Sequence, residues 1–447
     1  MASLTQDIGA FISGLRYEEI PEAGLASVRN GFTDYTAATI LGRNDDVTRV
    51  VTMVTGPRGG DSRLCFGAGR ATAPEAALIN GASAHAQDYD DVGLGGIQPT
   101  HPSACIAPAI FAEAEALGRS GKDMLTAYVA AFETWGELGS RDPDPPHLKG
   151  WHSTGTFGAI AAAAAAASLH KLDAPRAAHA VAIASSMAAG VVGNFGSMTK
   201  PFHAGRSAQS GVLAARLAAA GMTATKNSLE SDVGFLKAIS PAGKVDVETP
   251  ARFRERWWIV SHGLGFKLFP MCYGAHRALD GVLELLQAHP FGADEVESIE
   301  VEASRLQYTN LVHTDPKNAL DAKFSMEFAM ASAVLLRRVT RAEFDDSFVN
   351  RPDVRAMMKK VSRKFLPGKG PDGDGMVVLL KDGRRLEKKF REPLGHPRRP
   401  PSQEAIWTKF QDCTDGALSP ADQKRMFDML QHADSLARPS DLPVAGL

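Results

Sequence analysis

Seven consecutive alanines, Ala161 to Ala167, sit in the middle of this 447-residue chain and restrict its architecture more than any other feature. Alanine has the highest intrinsic helix propensity and almost no side-chain bulk. A helix made of it gains little from its own side chains and is held by neighbours packed closely around it. The run therefore predicts a central, tightly enclosed helix inside a large helical body.

The flanking pattern agrees, being helical from Leu4 to about Lys226. Pro21-Glu22-Ala23 opens a helix that is apolar at Leu25, Val28, Phe32, Tyr35 and Ile40 and ends at Gly42, while Pro74-Glu75-Ala76 opens another. Ser103 to Leu117 runs into Gly118, and the uncharged stretch Ala180 to Met198 reads as a closely packed buried helix rather than a membrane span, because its residues are mostly small. Past Phe266 the composition changes. Cys272 to His289 is helical, Val296 to Ala303 alternates as a half-buried strand does, Ser325 to Arg338 is helical, and Gly375 to Phe390 forms a hairpin about Asp382-Gly383. After the proline-rich stretch Glu392 to Pro401 come helices at Ser402 to Gln411 and Ala421 to Ala437. The expected fold class is mainly α with a smaller α+β domain. The expected divisions are an all-helical domain over 1–265, an inserted lid-like α+β domain over 266–391, and a linker with helices returning to the first domain over 392–447.

Lys plus Arg number 49 against 51 for Asp plus Glu, which leaves no net field for nucleic acid or an acidic membrane. The N-terminal stretch lacks the basic start and apolar block of a signal peptide, so a cytoplasmic protein is expected. Cys65, Cys105, Cys272 and Cys413 show no C-x-x-C spacing, against a disulfide framework, a zinc knuckle or a cysteine-held cluster.

Chemistry concentrates between His85 and Ser103. His85-Ala-Gln-Asp-Tyr-Asp-Asp91 and Thr100-His-Pro-Ser103 flank a glycine-rich hinge at Gly93, Gly95 and Gly96, and so polar a run between alanine-rich helices is either a solvated loop or the floor of a site. Four times a basic residue stands just before an expected helix start: His101, His152, Lys200 and Lys267, with Arg206 beside the third. Helix starts expose unpaired N–H groups and the positive dipole end, so four such places predict a pocket for a ligand with more than one anionic group. Gly118-Arg-Ser-Gly-Lys122 lacks the spacing of a phosphate loop, which favours carboxylates. Ser197-Met-Thr-Lys200 matches S-x-x-K, but neither S-D-N nor K-T-G follows. His85, Asp88, Asp90 and Asp91 include hard-metal ligand types without a recognised loop grammar, and no metal or other cofactor is expected.

Asn80-Gly-Ala-Ser-Ala-His-Ala-Gln-Asp-Tyr-Asp-Asp91, His152-Ser-Thr-Gly-Thr-Phe-Gly158, Met198-Thr-Lys-Pro-Phe-His-Ala-Gly-Arg206 and Phe266-Lys-Leu-Phe-Pro-Met-Cys272 together resemble the MmgE/PrpD family, which includes 2-methylcitrate dehydratase, cis-aconitate decarboxylase and iminodisuccinate epimerase. The resemblance implies a large helical domain with a smaller α+β domain, usually in a homodimer, and no cofactor. It implies Asp88, His101, His152 and Tyr308 as catalytic residues and Lys200, Lys267, Arg206 and Cys272 as substrate-binding ones. Val92 stands where decarboxylase-like members carry Thr, and Cys272 where some carry His. The expected activity is proton abstraction beside a carboxylate of a small polycarboxylate, as in a citrate-like or 2-methylcitrate dehydratase. Asp88 is expected to orient His101. The alternatives are an epimerase of an imino- or amino-dicarboxylate and a polycarboxylate-binding protein without catalysis.

Overall fold

A computed structural model describes residues 4–93, 100–144, 146–241, 243–304, 310–366 and 373–446. The expected class holds: the chain is mainly helical, with one small α+β part. It forms two compact units, one from Met1–Asn194, Met198–Phe266 and Ser402–Leu447, the other from Phe195–Ser197 and Lys267–Pro401.

The helices of the first unit include α1 (Leu4–Gly14), α2 (Glu22–Gly42), α3 (Asp46–Thr55), α4 (Ala73–His85), α5 (Pro102–Leu117), α6 (Gly121–Gly139), α7 (Ser153–Leu169), α8 (Ala174–Ser185) and α9 (Thr199–Ala219), and later Gln403–Thr414 and Pro420–Gln431. The alanine run lies in α7, every residue of which is buried. Around it pack α9, α6, α5 and α8. Their approach depends on missing side chains: a Cβ on Gly211 of α9 would fall 2.4 Å from the Ala162 Cβ of α7.

A second close approach, between α4 and α9, matters more for function. A Cβ on Gly205 would lie 2.1 Å from the Leu78 carbonyl oxygen, and one on Gly81 would lie 2.7 Å from the Gly205 Cα. The two helices touch backbone to backbone there. Four residues on from Gly81 is His85 at the end of α4, and five back from Gly205 is Lys200 in the first turn of α9. Glycine contact thus brings the end of one helix and the start of the other to one place.

The second unit is a four-stranded sheet in the order Val361–Leu366, Val296–Ser304, Gly375–Leu380, Arg385–Lys389, parallel in its first pair and antiparallel in the others. The alternation of Val296–Ser304 is realised, with Ile299, Val301 and Ala303 buried. Helices His276–Ala288 and Met326–Leu336 pack with each other and on the sheet. The strand Val361–Leu366 was not expected.

Three expectations fail locally. The uncharged stretch Ala180 to Met198 is not one helix: α8 stops at Ser185, and Gly190 (φ +147°) and Gly196 (φ +82°) hold turns there. The helix expected to start after Lys200 starts at Thr199, so Lys200 and Arg206 lie inside it. The helix expected from Cys272 begins at His276 behind a short 3-10 turn, leaving Lys267 nine residues upstream rather than at a helix start. Among the described residues no helix is long and apolar enough to cross a membrane.

Candidate active site

The floor of the site is the turn that leaves α4. Asp88 has φ +52°, a left-handed conformation that Asp tolerates better than most residues. The chain then runs through Asp90 and Asp91 into Val92–Gly93, which pairs with Leu264–Gly265. Asp88, Asp90 and Asp91 are all buried. Each carboxylate accordingly has its own partners.

Asp90 bridges two imidazoles. Its Oδ1 lies 2.8 Å from His85 Nδ1 and its Oδ2 3.1 Å from His101 Nδ1. His101 Nδ1 is also 3.1 Å from the Asp91 carbonyl oxygen, and since both neighbours only accept, Nδ1 carries the hydrogen and Nε2 is left to exchange a proton. Burial alone would push Asp90 up, but the His85 and His101 imidazoles hold its carboxyl well below the usual range. Burial lowers His85, with Asp90 opposing. The His85 Nε2 is buried and finds no hydrogen-bond partner among the described residues.

Asp88 does not orient His101. Its Oδ1 is 3.9 Å from His101 Nε2, beyond hydrogen-bond reach, and instead accepts from Lys200 Nζ at 2.5 Å. Asp90 and the Asp91 carbonyl hold the ring. Asp91 itself is tied to α5, accepting from the Ser103 N–H at 3.1 Å and from the Ser103 hydroxyl. Burial and neighbouring Asp34 push its carboxyl well above the ordinary range. Asp34 in turn receives Lys409 Nζ at 2.5 Å, and the same ammonium reaches the Tyr89 carbonyl at 2.6 Å. Lys409 belongs to the helix Gln403–Thr414, so the far end of the chain supports the acidic turn.

His152 precedes α7 and is 2 % exposed. Its Nδ1 lies 3.0 Å from the Nδ1 of His203 on α9. Burial lowers His152 well below the ordinary imidazole value, and Lys200, His85, His101 and His203 lower it further. The four rings form a series: centroids are 4.1 Å apart for His101 and His85, 6.4 Å for His85 and His152, and 5.3 Å for His152 and His203.

Three long helices start at this cluster. His101 is the N-cap of α5, and its N–H donates to Thr154 Oγ1 in the first turn of α7 at 3.2 Å. Lys200 stands in the first turn of α9. Two imidazoles, an ammonium and three positive dipole ends favour an anionic ligand. The cluster also contains ligand types for a cation: one donor atom each from His85, Asp88, Asp90 and His101 lie within 4.8 Å of one another. The Lys200 ammonium already occupies Asp88, while the two imidazoles meet Asp90 through Nδ1, so these contacts do not use their Nε2 atoms.

Of the residues expected at the site, Asp88, His101, His152 and Lys200 come together. Arg206 does not join them, its Nη1 bonding Gln209 Oε1 of its own helix at 2.6 Å. Lys267, fully buried, and Cys272, whose N–H donates to the Lys323 carbonyl at 2.9 Å, belong to the second unit. Tyr308 lies outside the described residues. The sequence reading overlooked Asp90 as the bridge, the Lys409 support, and His203. The last had a signal: it follows Lys200 by three residues on one helix, and such residues share a face.

The MmgE/PrpD N-terminal domain model matches residues 6–248 and the C-terminal domain model residues 269–434. Among curated relatives, a protein of Mus musculus named cis-aconitate decarboxylase is 28 % identical over 428 residues, covering 92 % of this chain and 86 % of the relative. The Homo sapiens protein of the same name is 27 % identical over 429 residues, covering 92 % and 87 %. That of Aspergillus terreus is 25 % identical over 472 residues, covering 97 % and 94 %.

Proposed function

The chain belongs to the MmgE/PrpD family, and from that premise we propose that it is a lyase for a small tricarboxylate of the cis-aconitate or citrate type. The bond that breaks is at a carbon beside a carboxylate. The observation that carries this reading is the neutral, buried His152 beside the Lys200 ammonium, with a second imidazole, His101, anchored through Nδ1.

The relatives' names favour decarboxylation. The C–CO2 bond of the substrate breaks, CO2 leaves, and the electron pair spreads into a remaining conjugated carboxylate before a proton returns to carbon. Lys200 and the dipole ends of α5, α7 and α9 stabilise the charge that develops, an interaction worth most in a dry, preorganised site. His152 moves the proton through Nε2, and His101 is the second acid/base through its own Nε2. A substrate carboxylate displaces Asp88 as the partner of Lys200.

Dehydration of a citrate-like acid is the second reading, favoured by the buried, apolar Val92 where decarboxylase-like members carry a hydroxyl. There a base removes the proton beside the carboxylate and the hydroxyl leaves as water. The test is proton NMR in heavy water with cis-aconitate, citrate, 2-methylcitrate and iminodisuccinate in turn. Loss of CO2 with deuterium in the product establishes decarboxylation, and a new vinyl signal from a saturated acid establishes dehydration. Epimerised iminodisuccinate would replace the lyase reading with an isomerase. If no acid reacts or exchanges, yet one raises the melting temperature, the chain binds polycarboxylates without turning them over.

A further inference from the structure

Resting on His152 as the proton carrier, we infer that His203 is a positioning residue that keeps the shared hydrogen on His152 Nδ1 and so makes Nε2 the position at which His152 exchanges a proton with the substrate. Two Nδ1 atoms 3.0 Å apart cannot both carry hydrogen and cannot both lack one. One ring donates and the other accepts, so the tautomer of each dictates that of the other. For His152 Nε2 to pass between lone pair and N–H, Nδ1 must stay protonated throughout. His203 must then accept at Nδ1 and carry its own hydrogen on Nε2.

The surroundings favour that arrangement. Lys200 and His85 face both rings, His101 faces His152, and Asp88 is engaged with Lys200. Burial, with His85 and Lys200, lowers His203 to about 4, so it is neutral and able to accept at neutral pH. A protonated His203 would oppose N–H to N–H and break the pair. Its ring is also held in place. The Gly190 carbonyl accepts the His152 N–H at 3.0 Å, and a Cβ on Gly190 would stand 3.2 Å from His203 Cγ. One glycine thus fixes the backbone of the first histidine and leaves room for the ring of the second.

His101 has a carboxylate behind its Nδ1, which favours the imidazolium. His152 has a neutral acceptor, which orients the ring without adding charge. The substitutions that separate these functions are His203→Asn, whose Oδ1 falls where Nδ1 stood, His203→Asp, which adds a charge at the same atom, and His203→Leu, which removes the acceptor.

Two readouts are needed: 15N NMR of the histidine side chains, which reports tautomer and titration with no substrate present, and kcat/KM against pH for whichever acid turns over. Expected are an Nδ1–H tautomer for His152 in the parent protein and in His203→Asn, with kcat in the latter within about threefold. In His203→Asp the His152 titration and the acid limb of kcat/KM rise together by about 1–2 pH units. In His203→Leu kcat falls at least about tenfold and the tautomer becomes mixed, while the far-ultraviolet spectrum is retained. A parent His152 with hydrogen on Nε2 and none on Nδ1, or one acid limb common to all three variants, overturns the inference. If no acid is turned over, the reading of His152 as proton carrier fails, and the NMR still decides the pairing. Should the Asp or Leu variant not fold, the parent spectrum and the Asn variant decide it.

Discussion

Two histidines at neighbouring helix starts receive opposite backing. His101 rests its Nδ1 on the ionised Asp90, and His152 rests its Nδ1 on another imidazole. A carboxylate stabilises the imidazolium, whereas an imidazole beside an ammonium does not, so one side-chain type acquires two proton affinities within a few ångströms. An enzyme that must give and take protons near pH 7 gains a ready acid and a ready base without changing residue type.

Breaking the first pair has the largest expected effect. Asn in place of Asp90 offers one oxygen to two imidazole N–H groups and turns an NH2 against the other. His85 or His101 must then change tautomer, and kcat is expected to fall by about 10³-fold, measured alongside a melting curve that shows the fold intact. Lys200→Met comes next, costing on the order of 2.7–4 kcal/mol of transition-state stabilisation if the ammonium meets the developing charge. A loss below about tenfold would demote Lys200 to a structural partner of Asp88.

The difference between the pairs also has a stability signature. A His203 lowered from the ordinary imidazole value to about 4 stays neutral when folded at pH values where the unfolded chain is protonated. The folded state therefore loses stability as pH falls through the unfolded value of about 6.5 toward 4, by up to about 3 kcal/mol at roughly 1.4 kcal/mol per unit. Urea titrations of the parent and His203→Asn at pH 7 and pH 5 check this, the variant losing less. The smallest effect is expected at Arg206, which bonds its own helix: Arg206→Gln should change KM by less than about twofold, and a larger rise would return it to the substrate.

The central helix was legible because alanine leaves little choice: Ala161 to Ala167 is helical and wholly enclosed. Proline and glycine punctuation located α2, α4 and α5 for equally local reasons. Local rules failed where a long-range partner decides. Val361–Leu366 shows weak alternation because Arg363 turns inward to pair with Glu327 while Lys364 and Phe365 both stand exposed, and its parallel pairing has no turn to announce it. Ala180 to Met198 looked like one helix because nothing in its composition forbids one; its two left-handed glycines show only in the folded chain. At the site, the residue types that chemistry needs were visible one by one. Which carboxylate faces which imidazole was not, since Asp88, Asp90 and Asp91 differ by a single backbone turn.

The Lys409 ammonium has a consequence for the order in which this protein can mature. Asp34, near the start of the chain, and the carbonyl of Tyr89 in the acidic turn both depend on a cation more than three hundred residues later. Until the ribosome has released that residue, Asp34 is without its ammonium partner, and the turn that carries Asp88 and Asp90 lacks that support. Support for the turn thus waits on the synthesis of that residue, and removing the segment from Ser402 onward is expected to silence a site with which it shares no reacting atom.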